Sequence, residues 1–240
     1  MWQLSRGELL SFASGTVLSD LTAACWFTYL LIYLEDTLDF SPGEAGAVLL
    51  VGQVADAIAT PFVGLISDHS SSQSLFSGWR LCRRTYWHLI GTSLIVIFYT
   101  CIWTMKISCK NSWDVVYYSV GAAMFNVGWA AVQVSHLALT GDLSANEHCR
   151  TRINSARYSF SIASALVAFL SYLLFIDVVE PTGEMSMSKY RYVSIAVLVI
   201  GIVTSVIFHV RMHYITVKKE QEENGLYERL NMDVGRLRLL

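Results

Sequence analysis

Charge is what this chain has least of. Only 15% of its 240 residues are Asp, Glu, Lys or Arg, against about 25% in a soluble globular domain. The formal net charge is −2, which leaves no electrostatic basis for a nucleic-acid partner. Proline occurs three times and long polar stretches are scarce, so little of the chain can serve as disordered linker. The five cysteines, Cys25, Cys82, Cys101, Cys109 and Cys149, are odd in number and include no Cys-x-x-Cys. Neither a disulfide framework nor a zinc site is expected from them, and Cys25 and Cys101 read as small apolar fillers. The apolar segments carry no nucleophile–base signature, so neither enzyme chemistry nor a cofactor is expected.

What is present is apolar sequence in long runs. Hydrophobic residues make up 54% of the chain and the mean hydropathy is +0.45. A bilayer is crossed by about 20 apolar residues in a helix, and six such runs can be read, at about 9–34, 43–66, 86–105, 115–139, 158–176 and 193–210. Backbone groups in lipid must be satisfied within the segment, so the expected fold class is all-α. The expected organisation is a polytopic six-helix bundle over 1–213 and a polar tail over 214–240. The first run is too long for a signal-peptide core and reads as a retained span.

Lys and Arg fall mostly on one side of these spans. Arg6, Arg80, Arg83, Arg84, Arg150, Arg152, Arg157 and the cations of the tail lie together, leaving Lys106, Lys110, Lys189 and Arg191 on the other. The first side, with both termini, is therefore expected to be cytoplasmic. In the tail, Tyr227-Glu228-Arg229-Leu230 has the Tyr-x-x-apolar form of a sorting signal, although an amphipathic surface segment explains it as well.

The informative residues are the polar ones inside the runs. Asp20 lies in the first span and Asp56 in the second. A carboxylate at mid-membrane costs roughly 2.5–3.5 kcal/mol even on the gentlest scale, and such residues mark ion or solute paths. Gln53, Asp56 and Thr60 are spaced i, i+3, i+7 and share a helical face. Pro61 deprives the Ala57 carbonyl of its usual partner and suggests a kink beside Asp56. Asn126, Trp129, Gln133 and His136 form a second polar stripe in the fourth span, expected to line a cavity. His209 and His213, at i and i+4, have a metal-ligand spacing, but no third ligand accompanies them and an interfacial pair without metal is expected. A cavity shared by Asp20 and Asp56 would favour a carboxyl that titrates near physiological pH, as proton coupling requires.

Gly64-Leu65-Ile66-Ser67-Asp68, followed by an insertion and Arg83-Arg84, resembles the loop between the second and third spans of the major facilitator superfamily. There Gly64, Asp68, Arg83 and Arg84 would form a cytoplasmic conformational clamp, with His69 replacing a usual cation and 70–82 longer than usual. A finer similarity is to the glycoside–pentoside–hexuronide:cation symporters. Asp20 is followed by the aromatic run Trp26-Phe27-Thr28-Tyr29, and Asp56-Ala57-Ile58-Ala59-Thr60-Pro61 matches an Asp-Ala-x-x-Asp-Pro motif in which Thr60 replaces the second Asp. Gln133 stands where the type has a carboxylate, and Arg157 where it has a sugar-binding Arg.

The resemblance implies the N-terminal six-helix bundle of a major facilitator fold, which in full has twelve spans around a midplane site. It implies a secondary transporter in which Asp20, Gln53, Asp56, Thr60, Trp129, Gln133 and Arg157 bind solute or ion. Thr60 in place of the second Asp favours a proton, or no coupling ion, over sodium, and a site that has lost two carboxylates is not expected to keep a sugar specificity. Trp26 to Leu31, Gly52 to Asp56, Trp87-His88-Leu89, Ser135-His136-Leu137 and Asp142 to Arg157 resemble a lysosomal or melanosomal branch of this type. That likeness implies cysteine import and a link to pigmentation. The implied partners are membrane lipid, a small solute, a proton or sodium, and a second six-helix half or another copy. The competing expectation is a truncated, non-transporting isoform that associates with a full-length transporter.

Overall fold

The computed structural model describes residues 5–69, 73–76, 79–105, 112–144, 146–179 and 187–237. Lys106, Cys109, Lys110 and residues 70–72 of the loop insertion lie outside the described residues. Among the described residues, six helices are long and apolar enough to cross a bilayer, so the chain is an integral, multi-pass, all-α membrane protein.

The first span is built in pieces. Helix α1 (Arg6–Ala13) gives way to a 3-10 turn (Ser14–Thr16), then α2 (Val17–Ile32) and a π-helical turn (Tyr33–Thr37). Ser5 caps its start: the Glu8 amide donates to Ser5 Oγ, and the Glu8 carboxylate accepts from the Ser5 amide at 2.7 Å. This reciprocal box satisfies donors that the first helical turn leaves orphaned. Ser41 and Glu44 repeat the box at the start of α3 (Pro42–His69), with Pro42 at the first helical position, where its missing N–H is no loss. The link between these spans turns through Asp39 at φ 57°, a left-handed conformation that Asp tolerates.

A short antiparallel hairpin follows, β1 (Gln73–Phe76) and β2 (Trp79–Leu81), with a register shift between Ser74 and Phe76. Then come α4 (Arg83–Thr104), α5 (Ser112–Leu143), α6 (Glu147–Val179) and α7 (Met187–Leu237). Helix α7 has 51 residues, so the sixth span runs unbroken into what the sequence suggested was a separate tail. Lys218 on that extension lies 3.5 Å from Glu8 at the start of the first span.

The core has two apolar ends. At one end Trp26 stacks on Phe125 at 4.6 Å and Tyr29 on Tyr172 at 3.7 Å, with Tyr33 against Trp103 and Tyr190. At the other end Phe12, Leu139, Leu143, Ile153, Phe208 and Met212 form a second cluster. Buried polar residues lie among them on the same helices: Thr16, Ser19, His88, His136, Ser205 and His209. Close backbone approach holds α4 on α5, because a Cβ at Gly91 would sit 2.7 Å from the Gly128 carbonyl oxygen. Small residues at such crossings are how membrane helices gain packing energy, since lipid gives them no hydrophobic drive to associate.

The second and fifth spans are peripheral. Only 17% of the residues in each of their apolar stretches are buried, against 61% in the first span. Helix α3 runs through Pro61 as one element. Among the described residues, the departures from α-helix within a span lie at Ser14–Thr16 and Tyr33–Thr37. A proline inside a membrane helix is absorbed by neighbouring groups.

Candidate functional site

Polar residues among the apolar clusters form one connected network. Asp20 sits near the start of α2, just past the 3-10 turn. Its carboxylate accepts from Ser161 Oγ of α6 at 2.5 Å and from Gln133 Nε2 of α5 at 3.2 Å. The same Gln133 amide nitrogen reaches Ser19 Oγ at 3.2 Å, and its oxygen accepts from Arg157 Nη2. Guanidinium only donates and carboxylate only accepts, so the two neighbours fix which way the Gln133 amide faces. Gln133 thereby joins a cation and an anion that do not touch. Arg157 and Ser161 lie one turn apart on α6 and face the network together.

Two donors in this region remain unmet among the described residues. Arg157 Nε and Trp129 Nε1 are both buried and without a hydrogen-bond partner. Trp129 precedes Gln133 by one turn and meets Phe27 edge-on at 6.1 Å. Unmet buried donors cost about 1–3 kcal/mol each, and a ligand carrying acceptors would recover that.

The remaining candidates divide. Asp56 is half-buried on α3, and Gln53 and Thr60 beside it are exposed. The described hydrogen bonds and ion pairs do not join this stripe to Asp20, so the two aspartates occupy different surroundings. In the stripe of the fourth span, Trp129 and Gln133 are partly accessible, but Asn126 and His136 are not. Asn126 is buried, donates to the Ala122 carbonyl and fills the space that Gly52 leaves. His136 is fully buried and bonds the Phe12 carbonyl. His136 thus ties α5 to the first span, whereas Asn126 bonds within α5 and packs against Gly52 of α3. His209 pairs with His88 of α4, not with His213, which lies against Tyr214.

The four residues expected to form the clamp lie on two helices, Gly64 and Asp68 toward the end of α3, Arg83 and Arg84 at the start of α4. Arg84 Nη1 lies 2.9 Å from Asp68 Oδ1, and Arg83 Nη1 donates to the Asp68 carbonyl at 2.5 Å. Gly64, one turn before Asp68, faces α5, where a Cβ would just reach Val134. The arrangement includes a residue that sequence reasoning missed: Arg84 Nε also bonds Asp142 Oδ2 at 2.9 Å. One guanidinium thus bridges the C-terminal ends of α3 and α5, where the helix dipoles favour a cation. Ser161 was missed too. Its position one turn beyond Arg157 was the available signal, but a serine in a span is seldom distinctive.

The profile of the MFS/sugar transport protein family matches residues 11–237. The chain belongs to this family. Similarity extends to human major facilitator superfamily domain-containing protein 12, 34% identical over 224 residues, covering 86% of this chain and 46% of the relative. An uncharacterized symporter of Synechocystis is 34% identical over 69% of the chain and 30% of its own length. The mouse sodium-dependent lysophosphatidylcholine symporter 1 is 27% identical over 69% of the chain and 30% of its own. The chain spans about half the length, or less, of these relatives.

Proposed function

We propose that this bundle forms one wall of a secondary transporter that moves a small polar solute by alternating access. Asp20, Gln133 and Arg157, with Trp129 beside them, bind the solute. One observation carries the reading: an anion and a cation are held apart across an amide in the bundle interior, with two unmet N–H donors next to them. A zwitterion fits that polarity, its ammonium toward Asp20 and its carboxylate toward Arg157. Cysteine or a close relative meets the description, and the resemblance to a lysosomal or melanosomal branch agrees with it. Gln53, Asp56 and Thr60 supply the coupling-ion face, with a proton as the ion. Symporters among the relatives support a cation partner. The clamp of Asp68, Arg83, Arg84 and Asp142 locks one conformer on the cytoplasmic side, where both termini lie.

Alternating access needs a second bundle facing the first, from another half or another copy. The test is solute uptake into vesicles containing this chain, across a pH gradient, with Asp20→Asn and Asp56→Asn as controls. Gradient-driven uptake of cysteine that both substitutions abolish is the expected result; uptake indifferent to both sinks the assignment.

A second reading has its own support. The peripheral α3 and α6, with little of their apolar stretches buried, suit a non-transporting form that associates with a full-length transporter. Cross-linked capture of a full-length relative, without uptake by this chain alone, distinguishes it.

A further inference from the structure

Three histidines lie deep in the bundle outside the network of Asp20: His88 on α4, His136 on α5 and His209 on α7. They collect around the break in the first span. His136 Nε2 is 2.9 Å from the Phe12 carbonyl oxygen, and His88 Nε2 is 3.2 Å from that of Gly15. Gly15 is required there, since a Cβ would lie 2.6 Å from Phe208 and 2.9 Å from the His136 ring.

The protons of His88 and His209 can be counted from their partners. A carbonyl oxygen only accepts, so a ring nitrogen facing one carries hydrogen. His88 Nε2 faces the Gly15 carbonyl, and His209 Nδ1 faces the Ser205 carbonyl at 2.7 Å. In two neutral rings this leaves His88 Nδ1 and His209 Nε2 bare. Those two atoms face each other at 3.3 Å. Opposed lone pairs at that separation, away from water, repel. One additional proton between them makes a charge-assisted N–H···N bond instead.

We propose that His88 and His209 form a proton-binding site, holding three protons over their four ring nitrogens and joining the third and sixth spans at the break in the first. The ligand is a proton from solvent, and the charge spreads over both rings with backbone carbonyl dipoles at each outer nitrogen. A neutral state is within reach of the same groups. It needs Ser205 Oγ, 3.3 Å from His209 Nδ1, to donate there and the His209 hydrogen to move to Nε2, which sets the bare Nδ1 against the Ser205 carbonyl oxygen at 2.7 Å. Thr92 Oγ1, 3.4 Å from His88 Nδ1, is the other hydroxyl at the pair.

The surroundings are accounted for element by element. From α5, the His136 ring stands 5.7 Å from that of His88, with its own proton on Phe12. From α6, the Arg157 charge reaches His136. On α4, Arg84 is one turn from His88 and is neutralised by Asp68 and Asp142. The first span contributes carbonyls, and α7 contributes Ser205 and the Phe208 ring. Among the described residues the extra proton therefore meets no carboxylate partner. It is held by a neighbouring imidazole and by dipoles, and its arrival or loss acts directly on the segment that leads into Asp20.

The test uses the full chain, labelled with nitrogen-15 histidine, in phosphatidylcholine bilayers from about pH 5 to pH 8, the range in which imidazole ordinarily titrates. Solid-state spectra should show three protonated nitrogens in one coupled ring pair at the acid end, with a through-hydrogen-bond coupling between rings. His209→Gln should remove that coupling and one bound proton per chain, while His213→Gln leaves both in place. Wild-type spectra decide the matter even if a variant misfolds. A third proton seen anywhere in the range supports the site; two neutral rings throughout, or no coupling between them, overturns it.

Discussion

Asp20 and Asp56 are the same residue in the same kind of apolar run, yet the bundle treats them oppositely. Asp20 is bonded from two other helices, and its partners Gln133 and Ser161 lead to Arg157. Asp56 lies half-buried on a peripheral helix, flanked by exposed Gln53 and Thr60. The difference teaches that a carboxylate in lipid can be stabilised from within or left for a partner to meet. A residue fully tied by its own fold responds to mutation first in stability. A residue left facing outward responds first in function.

The sharpest way to break that contrast is Asp20→Ala. It strips the acceptor from Ser161 and Gln133 and leaves Arg157 with no anion in the network, so a loss of about 3 kcal/mol is expected, read as a fall in the thermal midpoint in bilayers. Asp20→Asn, which keeps an acceptor oxygen, should lose clearly less. Next in size is Gly91→Leu, which forces side-chain atoms into the Gly128 carbonyl and the Val132 amide. Overpacking of about 1–3 kcal/mol is expected, and it separates damage to the scaffold from damage to the network, because solute affinity per folded molecule should persist.

Arg84→Ala is smaller. Its partners Asp68 and Asp142 are 54% and 50% exposed, and such pairs contribute about 0.2–1 kcal/mol each. The loss should shrink as salt is raised, which a melting series in increasing salt measures. Smallest is Asp56→Asn, expected to change stability by less than about 0.5 kcal/mol while removing gradient dependence from uptake. A larger stability loss at Asp56 than at Asp20 would reverse the comparison.

Much of this was legible beforehand for identifiable reasons. Six spans follow from hydropathy because lipid permits few alternatives to a helix. Asp68, Arg83 and Arg84 come together because they sit at the facing ends of two consecutive spans, on either side of the hairpin insertion. The errors share a cause. Asn126 and His136 have the spacing of Trp129 and Gln133, and a helical face drawn from spacing cannot say how far a neighbouring helix covers it. The first span departs from α-helix without any proline to announce it. His209 has a tempting neighbour at His213 and finds its partner instead 121 positions earlier.

The sequence by itself determined that this chain lives in a membrane, how many times it crosses, and that its few buried charges matter, because the cost of moving polar groups into hydrocarbon is local and additive enough to read along a line. Only the tertiary structure decided which charge meets which. Asp20 with Ser161, Gln133 with Arg157, Arg84 with Asp142 and His88 with His209 are set by how helices cross, and those crossings rest on glycines and aromatic rings whose partners lie far away in the chain.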